Sequence, residues 1–152
     1  PLGSVRPVPV GDYAVTTRVL FEPASNYQMA GLVIYGAADN YLVFGRAYCD
    51  PSGVCVGNGL YFDHIEGDTV IGSNFATAVE STNETWLKLE RIDEALTGSY
   101  SPDGVNWTVI GTHILSSLFD SARVGLHAAQ DSDKSDDDIP AVFDFFELTL
   151  NP

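Results

Sequence analysis

The chain has 152 residues, 45% of them hydrophobic, with 14 Gly and 8 Pro, which suits one globular domain rich in turns. Twenty-one Asp and Glu against seven Lys and Arg give a net charge of −14, which repels phosphate backbones and anionic membranes and argues against nucleic acid or membrane surfaces as partners. No run approaches the ~18 consecutive apolar residues of a membrane span. Pro1-Leu2-Gly3-Ser4 reads as the scar of a cleaved expression tag, leaving 5–152 as a single domain cut from a larger protein.

Along the chain, alternation of period two dominates. Tyr13, Val15, Thr17, Val19 and Phe21 share one face of a first strand, and Ala14, Thr16, Arg18 and Leu20 share the other. Further strands are predicted over 29–36, 40–49, 56–65, 69–71, 75–79, 84–92, 95–101, 106–112, 122–129 and 140–150. Turn signals separate them: Ala37-Ala38-Asp39-Asn40, Glu66-Gly67-Asp68, Gly72-Ser73-Asn74 and Ser101-Pro102-Asp103-Gly104. Only 114–119 has helical character. About ten short strands at this spacing predict an all-β antiparallel sandwich or barrel.

Cys49 and Cys55 flank Asp50-Pro51-Ser52-Gly53-Val54. A chain reversal there brings two Cα atoms within disulfide range. Free thiols or a metal pair are the alternatives, but no second cysteine pair or HxxxH supports zinc. A disulfide implies an oxidising compartment, hence a secreted or cell-surface protein. The segment 130–140, QDSDKSDDDIP, is an acidic loop before the last strand.

Aromatic faces and planar polar side chains such as Arg can hold ligands that carry hydroxyls. Tyr41 lies on one face of its strand, while Arg46 and Tyr48, two residues apart, share the other near the cysteine loop. They form either a stacking platform with a hydrogen-bonding neighbour or a packed Tyr with a salt-bridged Arg. Tyr61 and Asp63 share a face opposite His64 and Glu66. His64 is a candidate for a sugar or metal contact, or simply a paired polar residue. Lys88 and Glu90 project away from Leu87 and Leu89 onto a solvated face. They are candidates for the concave surface or for a cross-strand ion pair. His127 shares a face with Arg123, opposite Val124 and Leu126, and is a further candidate for a ligand contact. Trp107 is expected to pack, and Asn83 and Asn106 head formal glycosylation sequons.

The ordered set AGLVIY, NYLVFG, W-L-K-L, Y-S-P-D-G-V-N-W, R-V-G-L and F-D-F-F resembles the concanavalin A-like lectin/glucanase superfamily over about residues 10–150. Within that superfamily it is similar to the small jelly-roll domains attached to secreted glycoside hydrolases. The resemblance implies a jelly roll in which 13–21 lies beside 141–150. Catalytic members carry Glu-x-Asp-x-x-Glu, whose acids supply a carboxylate pair at ~5–5.5 Å. Here the motif is absent; Glu66-Gly67-Asp68-Thr69-Val70-Ile71 lacks the last acid and begins in a turn. No Gly-x-Ser-x-Gly elbow accompanies the three histidines. The expectation is therefore a non-catalytic carbohydrate-binding module that holds a covalently linked hydrolase near a polysaccharide or oligosaccharide. The alternatives are a structural domain packed on the catalytic domain and an adhesion module. The excised domain is expected to be monomeric.

Calcium is a candidate structural ion, because it takes six to eight oxygen ligands. Asp144 interrupts the apolar Phe143-Asp144-Phe145-Phe146, where a charge must be paired or coordinated. The matching Asp in related domains resembles a calcium ligand in some and a hydrogen-bond anchor in others. Asp131 and Asp133 mimic the start of an EF-hand loop, although Asp136 and Val142 stand where its Gly and Glu belong. A solvated acidic loop is the simpler account.

Overall fold

The computed structural model describes residues 5–79, 84–129 and 140–151. Among these residues twelve strands follow in chain order: β1 (Val5–Pro7), β2 (Tyr13–Leu20), β3 (Met29–Ala37), β4 (Asn40–Ser52), β5 (Cys55–Glu66), β6 (Thr69–Val70), β7 (Phe75–Ala78), β8 (Glu84–Ile92), β9 (Ala95–Ser101), β10 (Thr108–Ile114), β11 (Arg123–Ala129) and β12 (Val142–Leu150). The larger sheet runs β1-β11-β3-β4-β5, and both β6 and β7 pair with the free edge of β5. The smaller sheet runs β10-β9-β8-β2-β12. All pairings are antiparallel, and the expected jelly-roll pairing of the first long strand with the last is present as β2 beside β12.

Alternation explains why these strands make two layers. On β3, β4 and β5 the inward residues Leu32, Ile34, Leu42, Phe44, Leu60 and Phe62 meet Val15, Val19, Leu87, Leu89 and Leu96 of the smaller sheet. Each such side chain taken out of water contributes about 1.5–3 kcal/mol. Phe44 and Phe62 stack at 5.2 Å between ring centroids. Gly98 on β9 sits across from them because the space is already filled: a Cβ there would lie 2.8 Å from the Phe62 ring.

Four local outcomes differ from the sequence pattern. β1 was not expected; its three residues pair with β11 through Val5↔Gly125. β4 and β5 run on as an arm closed at Gly53-Val54, where Gly53 has φ +61°. The Cys49–Cys55 disulfide staples this arm, with a Cα separation of 5.3 Å. The predicted helix over 114–119 shrinks to a single 3₁₀ turn, Ser117–Phe119, because Ile114 ends β10. Finally, β10 starts at Thr108 rather than 106. The Asp103 carboxylate accepts hydrogen bonds from the amides of Asn106 and Val105, the Asn106 side chain and the Ser101 hydroxyl, which holds this stretch as a turn. The same bonds, Asn106 first, push the Asp103 carboxyl well below the usual range.

Gly98→Ala is expected to destabilise the fold by about 1–3 kcal/mol through overpacking against Phe62, read as a lower urea midpoint at unchanged slope.

A tyrosine-lined groove as candidate functional site

The outward residues of the larger sheet follow from the same alternation. With Leu42 and Phe44 inward, Tyr41, Val43 and Ala47 point out, and the tight turn at Ala38-Asp39 sets Tyr35 opposite Tyr41 and Val33 opposite Val43. Tyr61, Asp63 and Ile65 of β5 continue these rows on one side. On the other side, β11 places Gly125 beside Val33 and His127 beside Gly31. The face encloses a groove of about 840 Å³. Its walls are Tyr27 and the disulfide arm at one end, and β1, Val70, Asn74 and Phe75 at the sides. Val33 and Val43 are only 6% and 8% exposed despite facing away from the core, so the surface is concave. Gly31 and Gly45 pair across the floor, and a Cβ on either would collide with a backbone carbonyl of the neighbouring strand. Bare backbone therefore lies between His127 and Tyr61 in one row across the sheet.

Five of the seven tyrosines line this groove: Tyr27, Tyr35, Tyr41, Tyr48 and Tyr61. The Tyr61 hydroxyl donates to the Gly57 carbonyl and accepts from the Val56 amide, at 2.7 and 3.0 Å. Its polar end is occupied by the disulfide arm, so the ring is what it offers a ligand. Tyr35 is 41% exposed and Tyr27 62%. Burial pushes the Asp63 carboxyl up and the His127 imidazole down. Burial, then Asp50 beside it, pushes Tyr48 up.

The structure thus brings together Tyr41, Tyr48, Tyr61 and His127 of the sequence candidates. It separates the others. Arg46 is a correction: it lies on the core side, fully buried, donating to Thr85 Oγ1 at 3.0 Å and Asn58 Oδ1 at 2.5 Å. Burial pushes its pKa down, with Glu22 opposing. His64 also points inward, 1% exposed, with Nε2 3.2 Å from Glu66 Oε2 and its ring edge-on to His113 and Phe119. Lys88 and Glu90 belong to the smaller sheet, on its outer face, remote from the concave one; Lys88 Nζ sits 4.3 Å from the Trp107 ring centroid. Asp144 is held by Arg18 at 2.8 Å, and Arg18 also binds Glu84. Among the described residues no three or more His, Cys, Asp or Glu side chains gather as a metal site. Asp131 and Asp133 lie outside the described residues, as does Asn83. Tyr27, Tyr35 and Asp63 were missed as site residues. The signal for Tyr35 and Asp63 was the hairpin register, which places both on the Tyr41 face.

A sequence model of the family described as "Beta xylosidase C-terminal Concanavalin A-like domain" matches residues 8–149. The chain belongs to this family. No curated protein matches it. Among solved structures, the family-43 glycoside hydrolase BlXynB from Bacillus licheniformis superposes with a TM-score of 0.78 at 20% identity, over 95% of this chain and 29% of that one. A xylan β-1,4-xylosidase from Bacillus halodurans C-125 gives 0.74 at 20% identity, over 91% and 27%. Sheep galectin-11, solved with glycerol, gives 0.60 at 10% identity, over 97% and 98%. These likenesses show the fold. The chain spans under a third of the length of the two hydrolases.

Two predictions come from the buried polar residues of this domain. Arg46→Ala is expected to cost about 3 kcal/mol or more, because Thr85 and Asn58 lose their donor in the interior; Arg46→Met keeps the volume and should cost less, both read by urea unfolding. His64 and His113 are pushed below the ordinary value, chiefly by burial. Their contribution is fully present above the unfolded pKa of about 6.5 and is lost as pH falls from there through the depressed native values. Melting temperature should therefore drop as pH falls below about 6.5, and more shallowly in the His64→Gln, His113→Gln double variant.

Proposed function

We propose that this domain is a non-catalytic carbohydrate-binding module, and that the concave face of its larger sheet holds a stretch of polysaccharide. One observation carries the reading. Five tyrosines surround a groove of about 840 Å³ whose floor is backbone at Gly31 and Gly45. Flat apolar surface ringed by aromatic faces matches the apolar faces of pyranose rings, and the remaining polar groups, Asp63, His127 and Asn74, suit hydroxyls. In the full protein the module is joined to a family-43 hydrolase and keeps that enzyme near its polymer. The family described for β-xylosidases makes xylan the first polysaccharide to try. A secreted or cell-surface location fits the Cys49–Cys55 disulfide. No helix among the described residues is long and apolar enough to cross a membrane.

A second reading has its own support. The similar hydrolases extend far beyond this domain, and an apolar concave face is also what a docked catalytic domain would cover. Affinity electrophoresis of the isolated domain in gels containing xylan separates the two. Retardation that falls about tenfold in affinity in Tyr35→Ala and in Tyr41→Ala is the expected result. Unretarded migration in xylan and in other neutral polysaccharides favours the docking face.

A further inference from the structure

Among the described residues lining the groove, Asp63 is the single carboxylate, and none is Lys or Arg. It stands opposite Val43 on the sheet face, in the row Gly125–Val33–Val43–Asp63. Burial pushes this carboxyl up, and among the described residues it has no ion-pair or hydrogen-bond partner. Its oxygens are therefore open acceptors on an otherwise apolar floor. His127, on the far side of the two central strands, is kept uncharged by burial and adds no positive counterweight. Two exposed acids, Asp39 and Asp50, follow directly after the lining residues Ala38 and Cys49 and carry the same sign. Among the described residues, the cation on this sheet face near the tyrosines is Arg123, exposed, in register with Tyr35 and outside the lining.

A ligand entering this groove meets hydrogen-bond acceptors and negative potential. Sugar hydroxyls can donate to an open carboxylate, and a charged acceptor makes such bonds stronger than neutral ones. A carboxylate on the ligand brings no donor at neutral pH and is repelled instead. Resting on the reading of this face as a glycan site, we propose that Asp63 restricts it to uncharged sugar chains: the carboxylate accepts hydroxyl hydrogen bonds from a neutral ring lying between the tyrosines, and chains bearing uronic acids are rejected.

The experiment compares a neutral arabinoxylan with a glucuronoxylan on the same xylose backbone, by calorimetry of the isolated domain at low salt and neutral pH. Two charges about 6 Å apart, partly screened, predict a preference for the neutral chain of roughly tenfold or more. The preference should shrink as salt is added. Asp63→Asn keeps the shape of the side chain and should erase the preference, mainly by admitting the acidic polymer. Its thermal melt at neutral pH should lie at or above that of the parent, because a desolvated charge has been removed. Equal binding of both polymers by the parent, or a preference that survives in Asp63→Asn, overturns the proposal. If Tyr35→Ala and Tyr41→Ala abolish binding while Asp63→Asn keeps the preference, the groove reading stands and only the role of Asp63 falls. If neither Tyr variant alters binding, or if neither polymer binds, both fall together.

Discussion

Everything described depends on the register of β3, β4 and β5. Side chains alternate with period two, so a slip of one residue would carry every residue of a strand to the opposite face. Phe44 and Leu42 would then face solvent, and Tyr41 and Val43 would enter the core. The tight turn at Ala38-Asp39 limits that slip by joining β3 and β4 directly. The neighbouring Gly67-Asp68 turn, between β5 and β6, is tied to it. Asn40 Oδ1 accepts from the Gly67 amide at 3.1 Å, and the Asp39 carbonyl accepts from the Asp68 amide at 3.3 Å. Two adjacent connections are thus fixed to each other at one end of the sheet, and the disulfide closes the other end of the β4–β5 pair. The groove is the outward consequence of a register chosen by the inward residues.

The two outer faces differ because only one of them is polar along its length. The smaller sheet presents Thr16, Arg18, Lys88, Glu90, Thr97 and Glu147 outward, with Arg18 between Glu84 and Asp144 and Lys88 over Trp107. Such exposed pairs contribute little to stability, but they keep that face solvated. The larger sheet carries Val, Tyr, Gly and Met in the equivalent positions. Its mid-strand cation on β4, Arg46, is turned inward, where its guanidinium joins β4 to β5 and across the sandwich to β8. A buried cation is a costly tie, yet it keeps the Arg46 charge off the concave face.

The fold was legible in the sequence because alternation, Gly and Pro punctuation and strand spacing are local signals. Strand positions came within about two residues for most elements, which is the usual uncertainty of element ends. The disulfide was legible from a six-residue separation spanning Pro and Gly. The site was only half legible. Tyr41, Tyr61 and His127 could be assigned a face by parity along their strands. Parity alone does not say which face is core, and Arg46 and His64 show why. Each shares its face with Phe44 or Phe62, so the aromatic neighbours had already fixed the inward direction. Lys88 and Glu90 were correctly read as outward but belong to the other sheet. That distinction depends on long-range pairing of β8 with β2, separated by some seventy residues in the chain.

The half-buried carboxylate also bears on how the two readings of the concave face compare. A protein partner covering the groove would complete the desolvation of Asp63 and would have to supply a cation or several donors at that point. Otherwise it would leave a buried unpaired charge, at a cost of several kcal/mol. A xylan chain brings two free hydroxyl donors on each unsubstituted sugar and leaves part of the groove open to water, so it meets the same group without a matched residue. A tethered module does not need tight affinity either, since a linker to the catalytic domain raises the effective concentration of enzyme at the polymer to the millimolar range. Under the glycan reading proposed above, weak, hydroxyl-rich, incompletely desolvating contact is what an open tyrosine groove holding the Asp63 carboxylate would support.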